Sequence, residues 1–146
     1  MIQSIDNRPT AKQWLQRAYN IDRQIKSKQE MIQMWRGLAE RITPTYQDTA
    51  IQSSGVSRTE KYLQLIADAE AEVEQNLNTL IIIKKEIGSI IQLISNSNYK
   101  VLLEQRYILC KKWEDIADFM DYSTENIFKM HGDALNVVGK IKQSLQ

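Results

Sequence analysis

The sequence predicts an all-α protein, with a long N-terminal antiparallel helical hairpin of coiled-coil type followed by a C-terminal helix-turn-helix. Three observations carry this. Apolar residues recur at steps of three and four over two long stretches, the period of a helix with one buried face. The 146 residues include only two Pro and five Gly, so little interrupts those stretches. Residues 95–135 then read as one helix, a short helix, a tight turn and another helix.

The first helix opens near Thr10, which has capping-box spacing to Gln13, with Pro9 just outside. Its apolar stripe is Ala11, Trp14, Ala18, Ile21, Ile25, Ile32, Trp35, Ala39 and Ile42, and Lys28 falls on the seam between Ile25 and Ile32. Pro44 is expected to stop it after about 32 residues, about 50 Å. Residues 43–56, TPTYQDTAIQSSGV, lack a helical period and read as a mobile loop.

A second capping box, Ser57 and Glu60, opens the next helix. Its stripe runs through Tyr62, Ile66, Ala69, Val73, Leu77, Leu80, Ile83, Ile87, Ile90 and Ile94 to the cluster Ser95-Asn96-Ser97-Asn98. That is about 38 residues, or about 60 Å. Helices this long with one apolar stripe must pair, and the intervening loop permits an antiparallel hairpin.

Charge favours the pairing. Residues 8–41 hold eight basic side chains and three acidic ones, whereas residues 57–96 hold four basic and six acidic. The run Leu80-Ile81-Ile82-Ile83 puts isoleucines on more than one face. It predicts extra burial there, against the C-terminal module or a second subunit. Residues 1–96 are therefore read as a hairpin and oligomerisation region, giving a dimer or higher homo-oligomer. The alternative is a monomer in which the helix-turn-helix covers Ile81 and Ile82.

In residues 97–146, Tyr99–Leu109 is read as a supporting helix with Leu102, Leu103, Tyr107 and Ile108 as its apolar set. Lys112–Met120 is the first helix of the motif, with Trp113, Ile116, Ala117 and Met120 on one face. The turn is Asp121-Tyr122-Ser123. Asp121 stands where Gly is common, and Asp tolerates the left-handed conformation better than most residues. Ser123 is the expected N-cap, accepting from the amide of Asn126. With that cap, Ile127, Met130 and Leu135 point inward, and Thr124, Glu125, Asn126, Phe128 and Lys129 point outward.

The first turns of a recognition helix reach base edges in the major groove of double-stranded DNA. Asn126 suits adenine, Glu125 a cytosine amine and Phe128 a thymine methyl. Lys129 suits a base or a phosphate, and Arg106, Lys111 and Lys112 are candidate phosphate contacts. Residues 97–146 balance at seven basic and seven acidic side chains, so this reader is not itself basic.

Other classes fare worse. Hydrophobic residues at 42% and charged residues at 25% exclude a disordered chain or a membrane protein. The longest aliphatic run is far too short for a membrane span. The N-terminus has no apolar signal core, so the chain is expected in the cytoplasm of the cell that makes it. Cys110 and His131 are the sole cysteine and histidine. They leave no internal disulfide or zinc ribbon, and too few groups for a nucleophilic triad. Neither an enzyme nor a cofactor or metal site is expected. His131 and the tryptophans Trp14, Trp35 and Trp113 are read as packed side chains rather than a ligand and stacking platforms.

The stretch Leu103–Leu135 resembles region four of bacterial sigma factors. The likeness lies in the Arg106-Tyr107 pair, the start from Trp113 to Ala117, Tyr122-Ser123 at the turn and the Ala134-Leu135 exit. The whole layout is similar to phage late-transcription regulators of the RinA/ArpU type from Gram-positive bacteria. The stretches AKQWLQRAYNIDRQIKSKQE and WEDIADFMDYSTENIFKMHGDAL carry that similarity. The resemblance implies a phage or prophage origin, activation of a late, packaging or lysis operon with host RNA polymerase, and DNA contacts at Thr124, Glu125, Asn126, Phe128 and Lys129. The sequence departs from the sigma pattern in having no Arg at those positions and no visible core-binding sigma region.

Two rivals stay open. One is a coiled-coil adaptor whose C-terminal helices grip RNA polymerase or another protein. The other is a small terminase subunit, in which the DNA-binding module generally comes first.

Overall fold

The computed structural model describes residues 9–48 and 57–146. Among these the chain is all helical. The elements are α1 (Ala11–Asp48), α2 (Arg58–Ile91), α3 (Ser97–Leu103), α4 (Trp113–Met120) and α5 (Thr124–Ser144), with a π-helical turn, Glu104–Ile108, extending α3. The long helices α1 and α2 pair as the expected hairpin. The chain divides into two compact units, one of residues 21–79 and one of residues 1–20 with 80–146.

The unit of residues 21–79 is an antiparallel helix pair. Ile25, Ile32 and Ala39 of α1 are buried, as are Ile66, Ala69 and Val73 of α2. Seven-residue steps (25, 32, 39 and 66, 73) are the repeat that keeps a helix seam facing its partner. Fully burying such a side chain contributes about 1.5–3 kcal/mol. Lys28 Nζ lies 3.0 Å from Glu72 and Arg36 pairs with Glu70. These pairs match the charge difference between the helices, but exposed pairs contribute only about 0–1 kcal/mol each. They set orientation, and the apolar seam supplies the stability.

Pro44 does not end α1, which runs on to Asp48. Proline fixes φ near a helical value and removes one amide, so a helix can pass through it at the loss of a bond. Of the loop expected at 43–56, the first six residues are thus helical, and 49–56 lie outside the described residues.

In the other unit, Leu15 and Ala18 of α1 and Leu80, Ile83, Ile87, Ile90 and Ile91 of α2 are buried. Arg17 binds Glu86 at 2.9 Å, again antiparallel. Ile81 and Ile82 are 53% and 59% exposed, so the helix-turn-helix does not cover them. A 100° step per residue carries them off the buried face. Helix α2 stops at Ile91, earlier than the stripe suggests, because the chain tightens. The amides of Leu93 and Ile94 bond three residues back, to Ile90 and Ile91, at 3.0 Å each, and Ile94 stays buried.

The Asn96 side chain caps α3 by accepting from the amides of Asn98 and Tyr99. What reads as one helix from Tyr99 to Leu109 widens at Glu104, where the Leu109 amide bonds back to the Glu104 carbonyl at 2.9 Å. The chain then leaves through Cys110, at φ 56. No helix among the described residues is long and apolar enough to cross a membrane.

Candidate nucleic-acid interface

The helix-turn-helix forms because three local signals agree. Lys112 is extended and starts α4, its carbonyl accepting from the Ile116 amide at 3.1 Å. At the far end Asp121 is left-handed, at φ 58 and ψ 40. Its amide bonds to the Asp118 carbonyl and that of Tyr122 to the Ala117 carbonyl, the paired bonds that satisfy a helix C-terminus at such a residue. Ser123 then caps α5, its Oγ accepting from the Asn126 amide at 3.2 Å. Each feature of the turn expected from sequence is present.

Leu102, Ile116, Ala117 and Ile127 form the core that holds the two helices, with Trp113, Met120 and Met130 packed against it. The buried face of α5 is Ile127, His131, Ala134 and Val138. Leu135, expected inward, is only half-buried, and Ala134 takes its place. The steps of four, three and four from Ile127 follow the helical period better than the step of eight to Leu135.

Behind this core lies a polar cluster. The Tyr107 hydroxyl and His131 Nε2 are hydrogen-bonded at 2.6 Å, and the Trp113 ring meets His131 edge-on at 4.7 Å. Burial pushes the imidazole down to about 4, with Lys12 and Arg106 adding to the effect. Burial pushes Tyr107 up to about 12, partly opposed by Arg106. Both groups are therefore neutral at pH 7. His131 is a packed side chain, as expected, and no cluster of three or more metal-ligating side chains occurs among the described residues.

Arg106 is half-buried and makes contacts within the chain. Its guanidinium lies 4.4 Å from the ring centroids of both Tyr19 and Trp113, and donates to the Lys111 carbonyl at 2.9 Å. These contacts tie it to the segment entering α4. Trp14 carries two cations of the same chain on its ring, Arg17 at 5.0 Å and Lys142 at 4.3 Å.

Thr124, Glu125, Asn126, Phe128 and Lys129 are all exposed on the first turns of α5. Phe128 is 52% exposed and meets Trp113 edge-on at 5.4 Å, so it marks the flank of α5 nearest the start of α4. Asn126 and Lys129 fall on the opposite flank, beside a groove shared with Asn98 and Tyr122. Lys111 and Lys112 are exposed just before α4, with Lys111 Nζ 5.6 Å from the Phe119 ring. Five of the eight predicted contacts therefore share one exposed face, two lie beside α4 and Arg106 is half-buried against Tyr19 and Trp113. Sequence reasoning missed the Asn98–Tyr122 contact and the Tyr107–His131 bond. Each joins residues 24 apart in sequence, beyond any helical period.

Residues 41–138 match the model of a family described as "Protein of unknown function (DUF1492)", and the chain belongs to that family. No curated protein matches the chain, and neither does any solved structure.

Proposed function

We propose that this member of the DUF1492 family is a sequence-specific regulator that places α5 in the major groove of double-stranded DNA. One observation carries the reading. Ser123 caps an α5 whose first turns bury Ile127 yet leave Thr124, Glu125, Asn126, Phe128 and Lys129 exposed. That is the division of labour a recognition helix needs, with one face in the core and the other free for base edges. The sigma-like resemblance extends the proposal to a phage or prophage activator of a late operon, working with host RNA polymerase in the bacterial cytoplasm. A module without excess positive charge gains little from phosphate neutralisation, the main source of nonspecific affinity. Two readers joined in a homo-oligomer, or one tethered to polymerase, recover affinity through effective concentration. The exposed Ile81 and Ile82 are consistent with a further subunit.

The test is a titration against duplex fragments of the gene's own genomic neighbourhood, at two salt concentrations with excess competitor. One fragment should be retained. Asn126→Ala combined with Lys129→Ala should abolish that retention while helicity and oligomer state stay unchanged. Unaltered affinity in the double variant would refute the site.

A protein-binding adaptor is the second reading, favoured by Phe119 and Leu109, which are 60% and 55% exposed. It predicts no salt-dependent DNA binding and a partner that covers positions 124–129.

A further inference from the structure

A helix docked in the major groove meets two phosphate backbones, because the groove is about 12 Å wide and a helix with its side chains about 10–12 Å across. Among the candidate phosphate contacts, Lys129 alone lies toward the second of them. Lys111 and Lys112 precede α4, on the flank of α5 marked by the Trp113–Phe128 contact. The other flank borders a groove of about 320 Å³ lined by Asn98, Tyr122, Asn126, Lys129, Met130 and Asp133, among others.

Asn98 Nδ2 donates to the Tyr122 hydroxyl at 3.4 Å, so α3 and the turn hold two neutral donors side by side at the mouth of this groove. Both side chains are exposed. A bond this long is weak and is readily exchanged for one to an anion. Of the nearby acidic side chains, Glu114, Asp115 and Asp118 are on α4, while Asp121 precedes Tyr122 in the turn and Glu125 is in the first turn of α5; neither of these two lines the groove. Only Asp133 carries negative charge in the groove lining, one turn beyond Lys129.

We propose that Asn98 and Tyr122, with Lys129 beside them, bind a phosphodiester of the DNA strand that flanks α5 on the side away from α4. The proposal rests on the DNA-binding reading and adds to it a second phosphate site built from neutral donors. Such contacts fix register and orientation without reading sequence, and they release no counterion. They suit a module with balanced charge.

The full chain is titrated against its retained fragment and unrelated fragments at two salt concentrations. Asn98→Ala with Tyr122→Phe should weaken binding to all fragments alike, by roughly ten- to thirtyfold for two lost hydrogen bonds. The preference for the retained fragment and the salt slope should stay unchanged. Asn98→Asp should bind more weakly still, with a penalty that shrinks at the higher salt. If the double variant melts early by circular dichroism, Tyr122→Phe alone carries the test, since it keeps the ring and removes only the hydroxyl. Wild-type affinity in the folded variants would overturn the phosphate site and leave the DNA reading standing. Loss of fragment preference would also overturn it, by making these residues base readers. Failure of the wild-type chain to bind any duplex would remove both.

Discussion

His131 makes the stability of this protein depend on pH in a direction that can be worked out. The imidazole is 8% exposed, bonded to the Tyr107 hydroxyl and enclosed by Trp113. In the unfolded chain it takes up a proton near 6.5, whereas in the fold, burial first and then Lys12 and Arg106 hold it down to about 4. Between those values the unfolded state binds more protons, so stability falls as pH falls. It is complete above about pH 6.5, lower by about 2 kcal/mol at pH 5, and lower by at most about 3 kcal/mol once pH reaches 4. The perturbation is His131→Gln, which keeps a hydrogen-bonding side chain beside Tyr107 and cannot titrate. Urea unfolding followed by circular dichroism at pH 7.5, 6 and 5 gives a stability for each chain. Carboxylates titrate alike in both, so the difference between wild type and variant isolates His131. That difference should shift by about 2 kcal/mol against the wild type from pH 7.5 to pH 5. A constant difference would refute the argument and mean that solvent or a neighbour solvates the imidazolium in the fold.

Two further outcomes follow from the same region. Arg106→Lys should destabilise the chain by about 1–3 kcal/mol in urea unfolding, because an ammonium cannot stack between Tyr19 and Trp113 while also donating to the Lys111 carbonyl; a stability equal to wild type would show that charge alone suffices. Asp121→Gly should raise the melting midpoint by an amount worth up to about 1 kcal/mol, since glycine adopts the left-handed cap without a Cβ penalty; a lowered midpoint would show that the Asp121 carboxylate contributes more than its backbone conformation costs.

Much of the fold was legible because the signals are local. Thr10 and Gln13 form the full reciprocal capping box, and Ser57 caps α2 by accepting from the Glu60 amide, as their spacing requires. Most buried residues of the hairpin fall on the stripes read from the sequence, but Leu15 and Ile91 are buried off them, and Leu77, read as part of the second stripe, is exposed. The errors lie where a periodic signal outlasts the helix or a breaker proves tolerable. Ile94 keeps the period of α2, yet its backbone has already tightened, and Pro44 sits inside α1 because one missing amide is not enough to end a helix. The π-helical turn at Glu104–Ile108 leaves no mark in a hydrophobic pattern. It changes the hydrogen-bond register by one residue while Leu102, Leu103 and Tyr107 remain buried.

The candidate interface divides in the same way. The turn was readable because a left-handed Asp121 and the Ser123 cap act within three residues of one another. The outward set on α5 followed from that cap by helix geometry alone. Arg106 could not be placed so, since its two aromatic partners come from positions 19 and 113, and only the assembled fold brings Tyr19 to it. An arginine three residues from the end of a helix reads in sequence as a solvent-facing cation. Here two rings and a carbonyl hold the planar guanidinium of a half-buried side chain. Lys111, Lys112 and Lys129 are the exposed cations of the proposed interface. With so few, the affinity of this module must come from geometry and from whatever joins two readers together, and the DNA salt slope should be correspondingly shallow, at most about three counterions per module.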